Sequence, residues 1–89
     1  MNNNIIRART ITREIEAFKW ENNEPYLRDW IKDDNLIHFA GNMLEIWNSD
    51  IRDWVQCPMF FWIIRGIKGE LYPISPEIFD RSYEVLPIG

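Results

Sequence analysis

The chain has 89 residues, with 10 lysines and arginines against 14 acids and a formal net charge of −4. This predicts one domain over residues 1–89 and disfavours a general nucleic-acid binder, which needs a basic face to neutralise phosphates. A single cysteine and a single histidine exclude an internal disulfide framework and a transition-metal constellation, and no apolar run approaches the roughly 18 residues of a membrane span. The expectation is a soluble protein of the reducing cytoplasm with no membrane partner, metal or cofactor, in which two or three local cations can still hold a small anionic ligand.

Residues 1–10 are polar and irregular and predict either a mobile lead-in or the beginning of the first strand; Met1-Asn2-Asn3-Asn4 has neither the basic nor the apolar region of a signal peptide. From Ile11 to Trp20 the chain alternates. Ile11, Ile15 and Ala17 fall on one side, while Glu14, Glu16, Phe18 and Trp20 fall on the other. Asn23 or Glu24 then begins a helix with Pro25 at its first position, running to about Lys32 or Asp33, and Tyr26, Leu27, Trp30 and Ile31 make one apolar stripe for packing on a sheet.

Asp33-Asp34-Asn35 breaks that helix, and three short strands follow at Leu36 to Phe39, Met43 to Trp47 and Ile51 to Gln56. The segments between them have the residue types of tight hairpin turns. One tryptophan per strand, Trp47 and Trp54, lies on the less apolar side of the last two, which predicts a face that is not simply solvated. His38 has no recognisable acid partner in sequence and reads as structural; Cys57, before a proline among apolar residues, reads as a buried inert thiol.

The segment 61–73 places Arg65, Lys68 and Glu70 around a glycine-flanked turn between aromatic-rich strands, Trp62 to Ile64 and Glu70 to Tyr72. Ser75-Pro76-Glu77 supplies a cap, a first-turn proline and a first-turn acid for a short helix to about Arg81, and Ser82 to Leu86 adds a final strand. The predicted class is α+β: a curled, mostly antiparallel sheet packed against one helix, with a short C-terminal helical turn. Five tryptophans, five phenylalanines and three tyrosines exceed what a core this small encloses, so some are expected to line a cleft or a homo-oligomer interface.

The acid pairs have no distinguishing metal spacing, Gly66 and Gly69 are too close for a phosphate loop, and no nucleophile stands beside a base. Catalytic residues are therefore not expected. What remains is stacking and short-range charge: Trp20, Trp62 and Tyr72 are the types that stack on a nucleobase, Arg65 and Lys68 the types that hold phosphate oxygens, and Glu70 accepts from a base amine or orients Arg65. On residues alone an ordinary hairpin, with Trp20 and Trp62 in the core and Arg65 and Lys68 exposed, is the favoured reading.

Two blocks, Ile15-Glu16-Ala17-Phe18-Lys19-Trp20 and Trp62 to Pro73 followed by Ser75-Pro76-Glu77-Ile78-Phe79-Asp80 and Tyr83-Glu84, resemble a family of short phage and prophage proteins and cover about a third of the chain. The chain departs from that pattern at Ile74, where the family usually has cysteine, and at Pro58-Met59-Phe60-Phe61, where it usually has Pro-Gly-Asp. The family is in turn similar to the anti-CBASS sponges, phage proteins that sequester cyclic-nucleotide signals of bacterial defence. The resemblance implies a non-enzymatic protein of the host cell cytoplasm that sequesters a nucleotide, a cyclic dinucleotide among the candidates. The alternative is a protein-interaction module that inhibits a host protein or serves as a phage accessory subunit, favoured by the run Met59-Phe60-Phe61-Trp62 and the acidic balance.

Overall fold

The computed structural model describes residues 5–9 and 14–86 and has the elements β1 (Ile5–Arg9), β2 (Glu14–Lys19), α1 (Glu24–Ile31), β3 (Ile37–Ala40), β4 (Met43–Asn48), β5 (Asp53–Cys57), β6 (Trp62–Arg65), β7 (Leu71–Ile74), α2 (Pro76–Ser82) and β8 (Glu84–Val85). They form an α+β fold with two antiparallel sheets. The larger has the order β7-β6-β2-β1-β8 and the smaller β3-β4-β5. Neither is curled or closed, which corrects the expectation of one curled sheet. The reason lies between β5 and β6, where Pro58 removes a ladder donor and Phe60 takes a left-handed conformation (φ 71°), so β6 leaves β5 and pairs with β2 instead.

Element ends moved for local reasons. Ile5–Arg9 is a strand in its own right, paired from Ile5 opposite Phe18 to Arg9 opposite Glu14; the predicted strand residues Ile11 to Arg13 lie outside the described residues. α1 stops at Ile31 because Lys32 turns left-handed (φ 67°), returning its N–H to the Arg28 carbonyl. Leu36 belongs to a 3-10 turn, Asp34–Leu36, capped by the Asp33 carboxylate on the Asn35 N–H. Ile51 and Arg52 belong to a turn built by Asn48 Oδ1, which accepts from the N–H groups of Asp50 and Ile51, so β5 starts at Asp53. Ser75 caps α2 as expected, its hydroxyl accepting from the Ile78 N–H at 3.2 Å.

The larger sheet is buried on both faces. One face, with Phe18, Trp20, Ile63 and Leu71, packs on α1 through Leu27, Trp30 and Ile31, and on Leu44 and Ile46 of the smaller sheet. The opposite face, with Ala8, Ala17 and Ile64, is covered by Phe79 of α2. The alternation read for Glu14 to Trp20 holds: Ile15 and Ala17 belong to the second core and Phe18 and Trp20 to the first. Tyr26 departs from the apolar stripe and stands exposed at its edge. No helix among the described residues is long and apolar enough to cross a membrane.

Candidate functional site

The six residues expected to form a binding site do not converge. In β6, Ile63 and Arg65 face α1, while Trp62 and Ile64 face α2, because successive side chains of a strand alternate and here each face meets a different layer. Trp20 is 3% exposed in the first core, its ring 5.9 Å from that of Phe39. Trp62 lies on the other side of the sheet, stacked on Phe79 at 4.3 Å and 15°. Tyr72 is on that side too, its hydroxyl 3.2 Å from that of Tyr83, and burial pushes its phenol well above the ordinary range. Stacking of a ligand between Trp20 and either Trp62 or Tyr72 is thus excluded by the sheet itself.

Lys68 and Glu70 sit in the turn, where the acid has a local task. Glu70 Oε1 accepts the Lys68 N–H at 2.9 Å, and the ladder closes through Gly66 N–H to the Glu70 carbonyl at 2.8 Å and Gly69 N–H to the Gly66 carbonyl at 3.0 Å. Gly69 supplies positive φ (85°). Gly66 serves a different need: a Cβ there would lie 2.3 to 2.6 Å from the Glu70 carboxylate, so the missing side chain makes room for the turn's own cap. Lys68 is left exposed at the tip beside Ile67.

Arg65 organises what the larger sheet does offer. Its Nη1 donates to Glu16 Oε1 at 2.7 Å, its Nη2 donates to the Trp30 carbonyl in the last turn of α1, and its guanidinium carbon lies 4.3 Å over the Trp30 ring. Trp30 Nε1 donates to the same Glu16 oxygen at 3.2 Å. Three elements therefore meet at one ion pair: β2 and β6 bring Glu16 and Arg65 opposite each other in register, and α1 ends over them. The fork also supplies a partner to a helix-end carbonyl that has none inside the helix.

Clefts open on both sides of that pair. One, of about 510 Å³, is lined by Ile5, Glu16, Tyr26, Asp29, Trp30, Lys32 and Arg65. Its neighbour, of about 330 Å³, is lined by Arg7, Glu14, Ile15, Glu16, Arg65, Gly66 and Ile67. Glu16 and Arg65 belong to both, so they form a saddle between two lobes, with Lys32 in one and Arg7, 3.6 Å from Glu14, in the other. Of the predicted residues only Arg65 lines these clefts. Tyr26, Trp30, Lys32, Glu16 and Arg7 were missed; the available signal was the acidic end of the face carrying Phe18 and Trp20, once β2 is known to pair with β6.

His38, read as lacking an acid, has one across the strand pair: its Nε2 is 2.5 Å from Glu45 Oε1, and its ring packs at 3.9 Å on Trp54. Cys57 is buried as expected, and burial pushes its thiol up to about 12. Among the described residues no group of three or more His, Cys, Asp or Glu is placed to hold a metal ion. The fold and its surface define an α+β domain with a two-lobed groove on one side of its larger sheet. Compared with known proteins, the chain matches no family model, no curated protein and no solved structure.

Proposed function

We propose that the chain is a non-enzymatic, phage-encoded small-ligand-binding protein that sequesters a nucleotide immune signal of its host, and that the two-lobed groove, rather than the hairpin, is where the ligand sits. The observation that carries this reading is the saddle: two clefts of about 510 and 330 Å³ meet over the Glu16–Arg65 pair. The larger is within the range of small-molecule sites. It places the exposed ring of Tyr26 beside the cations Lys32 and Arg65, the combination that stacks a base and holds a phosphate, while the Trp30 ring, buried between Phe18 and the Arg65 guanidinium, forms its floor. Asp29 and Glu16 are acceptors for a base amine. A two-part ligand with a central anionic group, such as a cyclic dinucleotide, matches two lobes joined over a guanidinium.

The test is titration calorimetry of the chain against a panel of cyclic and linear dinucleotides. Tyr26→Ala and Lys32→Ala, both at exposed positions, should each weaken binding by roughly tenfold, the scale of one stacking or phosphate contact. No heat with any panel member at tens of micromolar protein rejects the proposal.

A second reading, a protein-interaction module, is favoured by one observation: Phe60 is 55% exposed in a left-handed conformation that bulky residues avoid, beside Met59 at 44%. Backbone bonds hold it there, from Phe60 N–H to the Trp20 carbonyl at 2.7 Å and from Trp20 N–H to the Phe61 carbonyl at 3.0 Å. Such a rigid apolar knob suits a host protein, a second phage protein or a second copy. Light scattering of the native chain and of Phe60→Asp separates these: a homo-oligomer dissociates on substitution, whereas loss of a host protein captured by the native chain identifies a hetero-contact.

A further inference from the structure

The smaller sheet carries a second surface that the groove does not use. Its inner face, with Leu44, Ile46 and Cys57, belongs to the core, so the alternate residues His38, Met43, Glu45, Trp47 and Trp54 stand on the outer face. Trp47 and Trp54 are directly opposed across β4 and β5, their rings 5.4 Å apart and edge to face at 69°, and His38 lies against Trp54. This makes a strip of three partly exposed rings. Neither indole joins either core cluster.

The fixed charges within the three strands are acidic. No lysine or arginine occurs in β3, β4 or β5; Glu45 is on the outer face with its side chain 19% exposed, whereas Asp53 shares the inner-face register of Val55 and Cys57, and the turn before β5 holds both Asp50 and Arg52. Glu45 has one oxygen on His38, and its other oxygen has no hydrogen-bond partner among the described residues. Aromatic faces attract cations through their quadrupole, and a carboxylate beside them adds to the same preference. β5, like β3, is an edge of the smaller sheet and pairs within it only with β4, with β7 of the larger sheet packed nearby; an edge strand beside the rings offers ladder positions to an extended chain.

We propose that the outer face of β3, β4 and β5 docks an extended protein segment that presents an arginine side chain to the Trp47 and Trp54 indoles and the Glu45 carboxylate. The site is separate from the groove, and its occupant is defined by complementary charge: a guanidinium lies flat on an indole while donating to a carboxylate at its edge, which neither an acidic peptide nor an anionic nucleotide can do.

The experiment follows the indole N–H signals of the ¹⁵N-labelled chain while the blocked peptide Gly-Arg-Gly-Arg-Gly is added, with a matched peptide carrying citrulline in place of arginine. The expected result is a saturating shift of the Trp47 and Trp54 signals with the arginine peptide, no shift of Trp30, and affinity at least about threefold weaker for citrulline, the lower scale of one cation–aromatic contact. Glu45→Gln keeps the side-chain length and an acceptor for His38 and should weaken the arginine peptide by a similar factor without affecting the citrulline one. Equal affinity for the two peptides, an absence of saturable shifts to millimolar concentration, or shifts that depend on protein concentration alone, as a second copy on this face would give, each overturn the proposal. Should Glu45→Gln lose its dispersed spectrum, the comparison of the two peptides on the native chain decides.

Discussion

Removing the Arg65 guanidinium tests whether this residue anchors the fold as well as lining the groove. Arg65→Met retains the apolar stem and deletes two charge-assisted bonds and the contact with Trp30. The side chain is 29% exposed and Glu16 45%, so solvent weakens both bonds. Taking the low end for a bond from a charged donor gives about 1.5 kcal/mol for the Trp30 carbonyl, with about 0.5 to 1 kcal/mol for the half-exposed pair and about 0.5 to 1 kcal/mol for the ring contact. These combine to about 3 kcal/mol, and in a domain of this size each kcal/mol moves the thermal midpoint by roughly 4 to 8 °C. Arg65→Lys keeps the charge but cannot reach two acceptors in a fixed fork and should lose about half as much. Urea unfolding followed by helical circular dichroism measures both; the midpoints should fall in the order native, lysine, methionine with the slope unchanged. A methionine variant within about 0.5 kcal/mol of native refutes the claim that β6 holds the end of α1 through this fork.

Gly66→Ala should destabilise the native chain by about 0.5 to 1 kcal/mol by displacing the Glu70 cap, yet be neutral or stabilising in a Glu70→Ala background, where chain entropy alone acts; additive effects in the double-mutant cycle count against the close approach of Glu70. The Cys57 thiol, raised from 9.0 to about 12, holds its proton in the folded state where the unfolded chain loses it, so its contribution to stability is fully present below pH 9 and is lost as pH rises toward 12; the Tyr72 phenol, raised for the same reason, acts in the same direction. Urea midpoints of native chain and Cys57→Ala across pH 8 to 11 should converge as pH rises, and parallel curves contradict this. Phe60→Asn, placing a residue that tolerates positive φ, should raise stability by a few tenths to about 1 kcal/mol, and a fall of that size shows that the exposed ring packs more than its surroundings indicate.

Fold class, antiparallel pairing and most elements were legible because each depends on neighbours along the chain. Pro25, Ser75-Pro76 and the alternation from Glu14 to Trp20 are local signals, and each placed its element correctly. The division into two sheets was not legible, since it depends on which strand β6 joins after Phe60, a choice among distant partners. The same holds for the candidate site. Glu16, Trp30 and Arg65 come from three separate elements and meet only through register and helix placement, so no spacing announces them. The hairpin drew attention by composition, yet Glu70 and Gly66 turn out to be absorbed by the turn's own architecture. His38 found Glu45 across a hairpin whose two-residue turn is readable but whose exact pairing decides the contact.

The division of labour within β6 constrains how this chain can diverge. Every residue of Trp62–Arg65 is committed to one of two compartments, so inserting or deleting a single position there would exchange the guanidinium for an aliphatic group beneath α1 and bring a charge under α2. Ile67 and Lys68, by contrast, project beyond the paired strands at the tip and are free to change chemistry without disturbing either compartment. Descendants of this sequence should accordingly keep the length of the segment while varying its apex, and new specificity should arise at that apex sooner than in the strand that carries it.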